Sequence, residues 1–318
     1  MRSTDKVKMI VHFGIHRTGS TSIQKNLAFN REALKEEGIV YPYIQGATSH
    51  VSVPGKLNSR KLLVSDLVNE IESQLTPPTH TVILSAEDFC RLKRWELFSE
   101  LAEHYELHGS IYLRRQDLWL ESWYNQHVRW PWDSKYSGSD VNYFLKNINE
   151  FYWIDYEELL TRIEQFVPIE RMHVSLLDAN GVDDSVSDFF DFFRISGERI
   201  GRVSDDNQSL SSVKIDILRR INTIDISPNA RLNILKALQN MEIKEDNGKS
   251  VFFKHRQRLR ILRKFENSNE TVARRYFQRR KLFADYKKNE LRPAFVSDRK
   301  AYREYIPKLL KEVAQVSS

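Results

Sequence analysis

The 318-residue chain holds a single cysteine, Cys90. An internal disulfide and any cysteine-built zinc or iron–sulfur site are therefore excluded. Long apolar runs are also missing: none approaches the roughly 20 residues that cross a bilayer. The first eight residues, Met1 to Lys8, are polar and lead into a short apolar strand, unlike a signal peptide. Internal repeats and low-complexity stretches are absent. These features suit a reducing compartment and set the expectation of a cytoplasmic protein. What the chain does have is apolar and aromatic content, with 41% apolar residues and 6 Trp, 13 Tyr and 17 Phe. That content supports a large buried core and excludes a disordered chain.

The net charge of +6 hides an asymmetry. Residues 1–213 hold 23 basic and 31 acidic residues, a net of −8, whereas residues 214–318 hold 26 basic and 12 acidic, a net of +14. A basic last third implies an anionic partner, which composition leaves open among nucleic acid, membrane surface, nucleotide and polyanionic substrate.

Residues 8–13 read as a short strand, followed by the Gly/Ser/Thr-rich turn Gly14-Ile-His-Arg-Thr-Gly-Ser-Thr-Ser22 and a helix from Ile23. A second extended segment covers 38–42, a loop 45–60 and a helix 59–75. Thr79–Ser85 is a strand rich in β-branched residues. A helix at about 94–106, strands at 107–113 and 172–177, and helices from 117 and over 155–166 complete an alternating β-α pattern, which predicts a parallel sheet covered by helices. Helical patterns then dominate, over 214–222, 229–241, 251–265, 270–283 and 301–315. The polar segments Asp183–Ser187 and Arg202–Ser212 mark the expected handover. The expected organisation is an α/β core over 1–205 with a basic α-helical extension over 206–318.

The first turn carries the chemistry. A strand feeding a glycine-containing loop and then a helix N-terminus gathers unpaired amide groups and the positive end of the helix dipole, a cradle for an anion. Gly14 and Gly19 permit tight backbone, Thr18, Ser20, Thr21 and Ser22 add hydroxyls, and Arg17 adds a fixed cation. A Walker A loop reads G-x-x-x-x-G-K-S/T. Gly14 and Gly19 have that spacing, but Ser20 stands where the lysine belongs. A P-loop kinase or NTPase is thereby weakened as a reading. A non-enzymatic nucleic-acid-binding protein using the basic third is the other alternative; it leaves the motif unexplained.

The stretch His16-Arg17-Thr18-Gly19-Ser20-Thr21-Ser22 resembles the 5′-phosphosulfate loop of sulfotransferases, commonly Pro/His-Lys-Ser/Thr-Gly-Thr-Thr. A second element agrees: Arg114 follows a strand and Ser122 lies eight residues on, the spacing of that family's 3′-phosphate site. Bacterial members with a Ser-Glu-Asp-Phe strand end and a Leu-Arg-Arg-Gln-Asp junction are most similar, and both occur here, at 85–89 with one inserted alanine and at 113–117. Phe265-Glu-Asn-Ser-Asn269 and Val272-Ala-Arg-Arg-Tyr276 are similar to their C-terminal region. The resemblance spans residues 8–180 and implies a P-loop-NTPase-like fold. It implies transfer of a sulfuryl group from 3′-phosphoadenosine 5′-phosphosulfate (PAPS) to a carbohydrate or glycolipid hydroxyl, the acceptor class associated with those bacterial enzymes. No metal and no nucleic acid enter this scheme; the acceptor can itself be anionic, and peripheral membrane contact is compatible with it. The usual loop lysine is Arg17 here, and the usual Asn/Asp-Pro after the second arginine is Arg115-Gln116.

The scheme assigns His16 to Ser22 and Arg114 with Ser122 to the nucleotide, and Arg17 also to the departing phosphate. The acceptor hydroxyl needs a general base. His50, in the loop after the second strand, and Glu87, after the third, are the candidates; His16 more naturally shapes the loop, and Ser85 lies where substrate can reach. Trp119, Trp123, Tyr124, Trp130 and Trp132 supply either stacking faces or helix packing. The basic segments at 254–260, 274–275 and 279–281 are either solvated faces or an anion groove.

Overall fold

The computed structural model describes residues 6–177, 181–197, 199–203, 210–246, 250–288 and 291–316. Residues 204–209, which include the expected 205/206 boundary and most of the handover segment after Val203, lie outside the described residues. The chain forms two compact units, each drawn from three stretches. The first is 1–115, 153–205 and 266–284; the second is 116–152, 206–265 and 285–318. The division is interleaved in sequence.

The first unit is built on a five-stranded sheet of β1 (Lys8–Phe13), β2 (Ile39–Val40), β3 (Thr81–Ala86), β4 (Glu106–Leu113) and β5 (Met172–Leu176). Their order is β2-β3-β1-β4-β5 and every pairing is parallel. This is the α/β sheet with flanking helices that the alternating pattern predicts. Both faces are covered, which is why β1 and β3 read as continuous apolar runs. On one face Ile10, Ile83 and Tyr112 pack with Ile23 and Leu27 of the helix Ser20–Phe29 and with Val186 and Phe189 of the helix Ser185–Phe192. On the other, Phe13 meets Phe89, Trp95 and Phe98 at ring separations of 6.4, 6.2 and 5.3 Å. β1 is central, and strands added after it run out on both sides, so loops at its carboxyl end sit at the topological switch point where such sheets bind ligands.

Among the described residues the second unit is helical apart from a short parallel ladder between Ser250–Val251 and Arg292–Pro293. Its core gathers Trp119, Trp123 and Tyr124 of the helix Gln116–Arg129, all at most 3% exposed. Arg258, fully buried, pairs with Asp117 at 2.8 Å and with Glu121. A buried arginine is tolerated only when its charge is matched in this way. The expected helix at 251–265 begins at His255, because the Phe252 and Phe253 amides donate to Glu121 instead of entering a helix. Within the first unit, the expected loop at 45–60 contains the helix Val53–Asn58, with Pro54 early in its first turn, and the following helix starts at Val64.

Candidate functional site

Gly14 to Gly19 link β1 to the helix beginning at Ser20. Gly14 is required by close approach: a Cβ there would lie 2.9 Å from the Glu87 Cα and 3.1 Å from the Ala86 carbonyl. Its amide donates to that carbonyl at 3.0 Å, pinning the loop to the end of β3. Arg17 and Gly19 take left-handed backbone, with φ of 67° and 79°. For arginine this conformation costs on the order of 1–2 kcal/mol, and such strain clusters at ligand clamps. Thr18 Oγ1 and Ser20 Oγ both donate to the Ile15 carbonyl, at 2.6 and 3.2 Å. These two hydroxyls therefore shape the loop from inside, which narrows the expectation that they face a ligand.

The helix has no side-chain cap. The amides of Thr18, Gly19, Ser20 and Thr21 have no hydrogen-bond partner among the described residues. A run of unspent donors at the positive end of a helix is an anion cradle.

Arg114 directly follows β4 and reaches this loop. Its Nη1 donates to the Arg17 carbonyl at 3.3 Å. Tyr156 fixes the Arg114 backbone from behind, its hydroxyl accepting the Arg114 amide at 3.2 Å and donating to the Arg114 carbonyl at 2.5 Å. Burial raises the Tyr156 phenol well above its ordinary range, so it remains a protonated donor.

Glu87 and Asp88 follow β3 on the other flank. Glu87 Oε1 accepts from Thr21 Oγ1 at 3.0 Å, and His16 Nε2 lies 3.1 Å from Asp88 Oδ1. Arg91 adds a 3.0 Å bond to the same Asp88 oxygen. Burial pushes the Asp88 carboxyl up, but the hydrogen bonds and charges of His16 and Arg91 outweigh it and hold it below its ordinary value. Glu87 thus stands beside the loop, while Asp88, which the sequence reading passes over, holds His16 in place. The Glu-Asp pair at a strand end was the available signal.

His50 corrects an expectation. It lies in the interior, 0% exposed, with Nδ1 accepting the Ser85 amide at 3.2 Å. That bond fixes the proton on Nε2, which donates to the Pro42 carbonyl at 2.7 Å. Burial pulls its pKa down to about 4. With both nitrogens spent and no surface, it is not placed to take a proton from an acceptor.

Ser122 is the seventh residue of the helix Gln116–Arg129, two turns in, and belongs to the second unit, whereas Arg114 belongs to the first. Trp119, Trp123 and Tyr124 are buried packing residues; only Trp130 and Trp132 expose ring faces, at 36% and 54%. Ser22 sits in the first turn of its helix, partly buried.

A polar row that periodicity does not reveal crosses the sheet beneath the loop. Ser85, His12, Ser110 and His173 are successive cross-strand partners on β3, β1, β4 and β5. His12 Nδ1 lies 2.7 Å from Ser85 Oγ, His173 Nδ1 3.1 Å from Ser110 Oγ, and Asp188 closes the row 3.0 Å from His173 Nε2. A histidine inside an apolar strand, His12 between Val11 and Phe13, is the signal that could have found it.

No family model matches the chain. An uncharacterized protein of Archaeoglobus fulgidus is 30% identical over 171 residues, 52% of this chain and 45% of that protein. The chain thus spans under half the length of that relative. Among solved structures, the crystal structure of a sulfotransferase from Alicyclobacillus acidocaldarius matches with a TM-score of 0.42 and 14% identity, over 73% of this chain and 90% of that one.

Proposed function

We propose that the chain is a sulfotransferase moving a sulfuryl group from PAPS to a hydroxyl of a carbohydrate or glycolipid, giving adenosine 3′,5′-bisphosphate. The observation that supports it best is the pairing of the amide cradle at 18–21 with two arginines, Arg17 within the loop and Arg114 bonded to it. A nucleotide carrying phosphate at both 5′ and 3′ positions needs two such anion anchors. The loop fits the donor's 5′ end, since its amides are unspent and its cation is a guanidinium that forks onto two oxygens.

The donor supplies the sulfuryl group and the leaving phosphate. The chain's residues position these and match charge, as in phosphoryl transfer, where little covalent work falls to the protein. The amides of 18–21 hold the 5′ end, and Arg17 stabilises charge developing on the departing phosphate. Arg17 does so without donating a proton, since guanidinium stays protonated. Arg114 holds the 3′-phosphate. Glu87 takes the acceptor proton; His16, held by Asp88, keeps the loop wall in place beside it.

Calorimetric titration with adenosine 3′,5′-bisphosphate, ATP with Mg²⁺, and duplex DNA separates the readings. Micromolar binding of the bisphosphate, lost in Arg114→Ala, is expected. Tighter binding of ATP with Mg²⁺ overturns the proposal in favour of a P-loop kinase. Binding of DNA alone, with a steep salt dependence, favours the nucleic-acid reading.

A further inference from the structure

Several helical arginines of this protein pair with carboxylates one turn away on the same helix. Glu270 pairs with Arg274 at 3.0 Å, Glu158 with Arg162, and Asp216 with Arg219 and Arg220 at 3.2 and 2.8 Å. The exposed arginines of the helix His255–Lys264 have no such partner. This helix contains no acidic residue, and Arg256, Arg260, Arg263 and Lys264 are all exposed. Among the described residues none of the four has an ion-pair partner. Arg256 and Arg260, and Arg260 and Lys264, are like charges at i,i+4, a spacing that destabilises a helix by a few tenths of a kcal/mol per pair. Stability of the fold does not account for such a stripe.

The stripe is also fixed in direction. Arg258 on the opposite face is buried against Asp117 and Glu121, and Ile261 is buried beside it. The cations therefore project along one line of about 12 Å, from the rise of eight residues. At the start of the helix the exposed cation Lys254 lies 5.9 Å from the centre of the Phe295 ring, which is 42% exposed.

We infer that this face docks on the anionic headgroups of a lipid bilayer. Guanidinium forks suit phosphate oxygens. An exposed phenyl ring beside a cation is of use at a headgroup–acyl boundary and of none to a purely ionic polymer. The apolar side of the helix is turned to the protein, so the helix lies on the headgroups instead of sinking among the chains. This reaches beyond the sulfuryl-transfer reading and stands or falls apart from it, because vesicle binding needs no nucleotide.

The test is co-sedimentation of the full chain with vesicles of phosphatidylcholine alone and of phosphatidylcholine mixed with phosphatidylglycerol. Binding is expected only to the anionic vesicles and is expected to vanish at high salt, where screening shortens to a few ångströms. Each surface cation is worth about a fivefold change in partition, so the triple variant R256Q/R260Q/R263Q should bind on the order of a hundredfold more weakly. Phe295→Ser should weaken binding a few-fold with an unchanged salt dependence. If the triple variant melts early, Arg260→Glu alone serves, with a drop of tenfold or more expected. Equal vesicle binding by wild type and variants overturns the inference. So does stripe-dependent binding to heparin or duplex DNA without binding to vesicles.

Discussion

The guanidinium of Arg114 donates to the backbone carbonyl of Arg17 at 3.3 Å, so the residue just after β4 is tied to the loop that follows β1. The two residues are 97 apart in sequence. The bond depends on backbone as much as on side chain, because Arg17 adopts φ of 67°. Charge and geometry at this point can be separated by mutation.

Arg17→Gly keeps the left-handed backbone and removes the cation. Glycine adopts positive φ without the penalty an L-residue bears. The variant should melt no lower than wild type while its affinity for adenosine 3′,5′-bisphosphate falls tenfold or more, the scale of a lost charge-assisted hydrogen bond. Arg17→Lys should recover part of that affinity. A glycine variant that binds as tightly as wild type would remove Arg17 from the nucleotide site.

Gly14→Ala tests the loop from the other side. The added methyl would stand 2.8 Å from Ser20 Oγ as well as 2.9 Å from the Glu87 Cα, and backbone there cannot yield as a side-chain tip can. Overpacking of this kind costs about 1–3 kcal/mol. Thermal denaturation should show the loss, and calorimetry should show weaker bisphosphate binding.

Glu87 and His50 make opposite predictions. Glu87→Gln removes the proposed base but retains an acceptor for Thr21 Oγ1. Turnover should fall by about 10²–10⁴-fold with the melting temperature little changed. His50→Ala deletes a buried ring that joins Ser85 to Pro42, so stability should drop by a few kcal/mol while turnover in the folded fraction stays within about tenfold. A large rate loss in His50→Ala with Glu87→Gln unaffected would reverse the assignment.

The sheet was legible because its strands are short apolar runs set between helices, and β3, β4 and β5 fall within two residues of the expected ranges. The loop was legible because glycines and hydroxyl residues cluster between a strand and a helix. His50 was not, since the chain around it is polar and reads as surface, yet Tyr41 and the end of β3 fold over it, the Tyr41 and His50 rings standing 4.3 Å apart. The interleaving of the two units was not legible either. Arg258 is buried by Asp117 and Glu121, more than 130 residues earlier, and no local pattern encodes that pairing.

The buried histidines predict how the fold responds to acid. Burial, with a further contribution from the His173 charge, lowers His12 to about 3, and burial lowers His50 to about 4. Both folded values lie below the ordinary histidine value of about 6.5. The unfolded chain therefore binds more protons over this interval, and stability falls as pH drops through it. The contribution is fully present above about pH 6.5, begins to be lost below it, and is exhausted near the folded values. At pH 4.5 each histidine should cost about 2–3 kcal/mol relative to pH 7. Urea denaturation at the two pH values reads this directly. His50→Gln should remove roughly half of the difference, since His12 remains, whereas equal unfolding free energies for the wild type at pH 7 and 4.5 would show that neither ring is held neutral in the folded core.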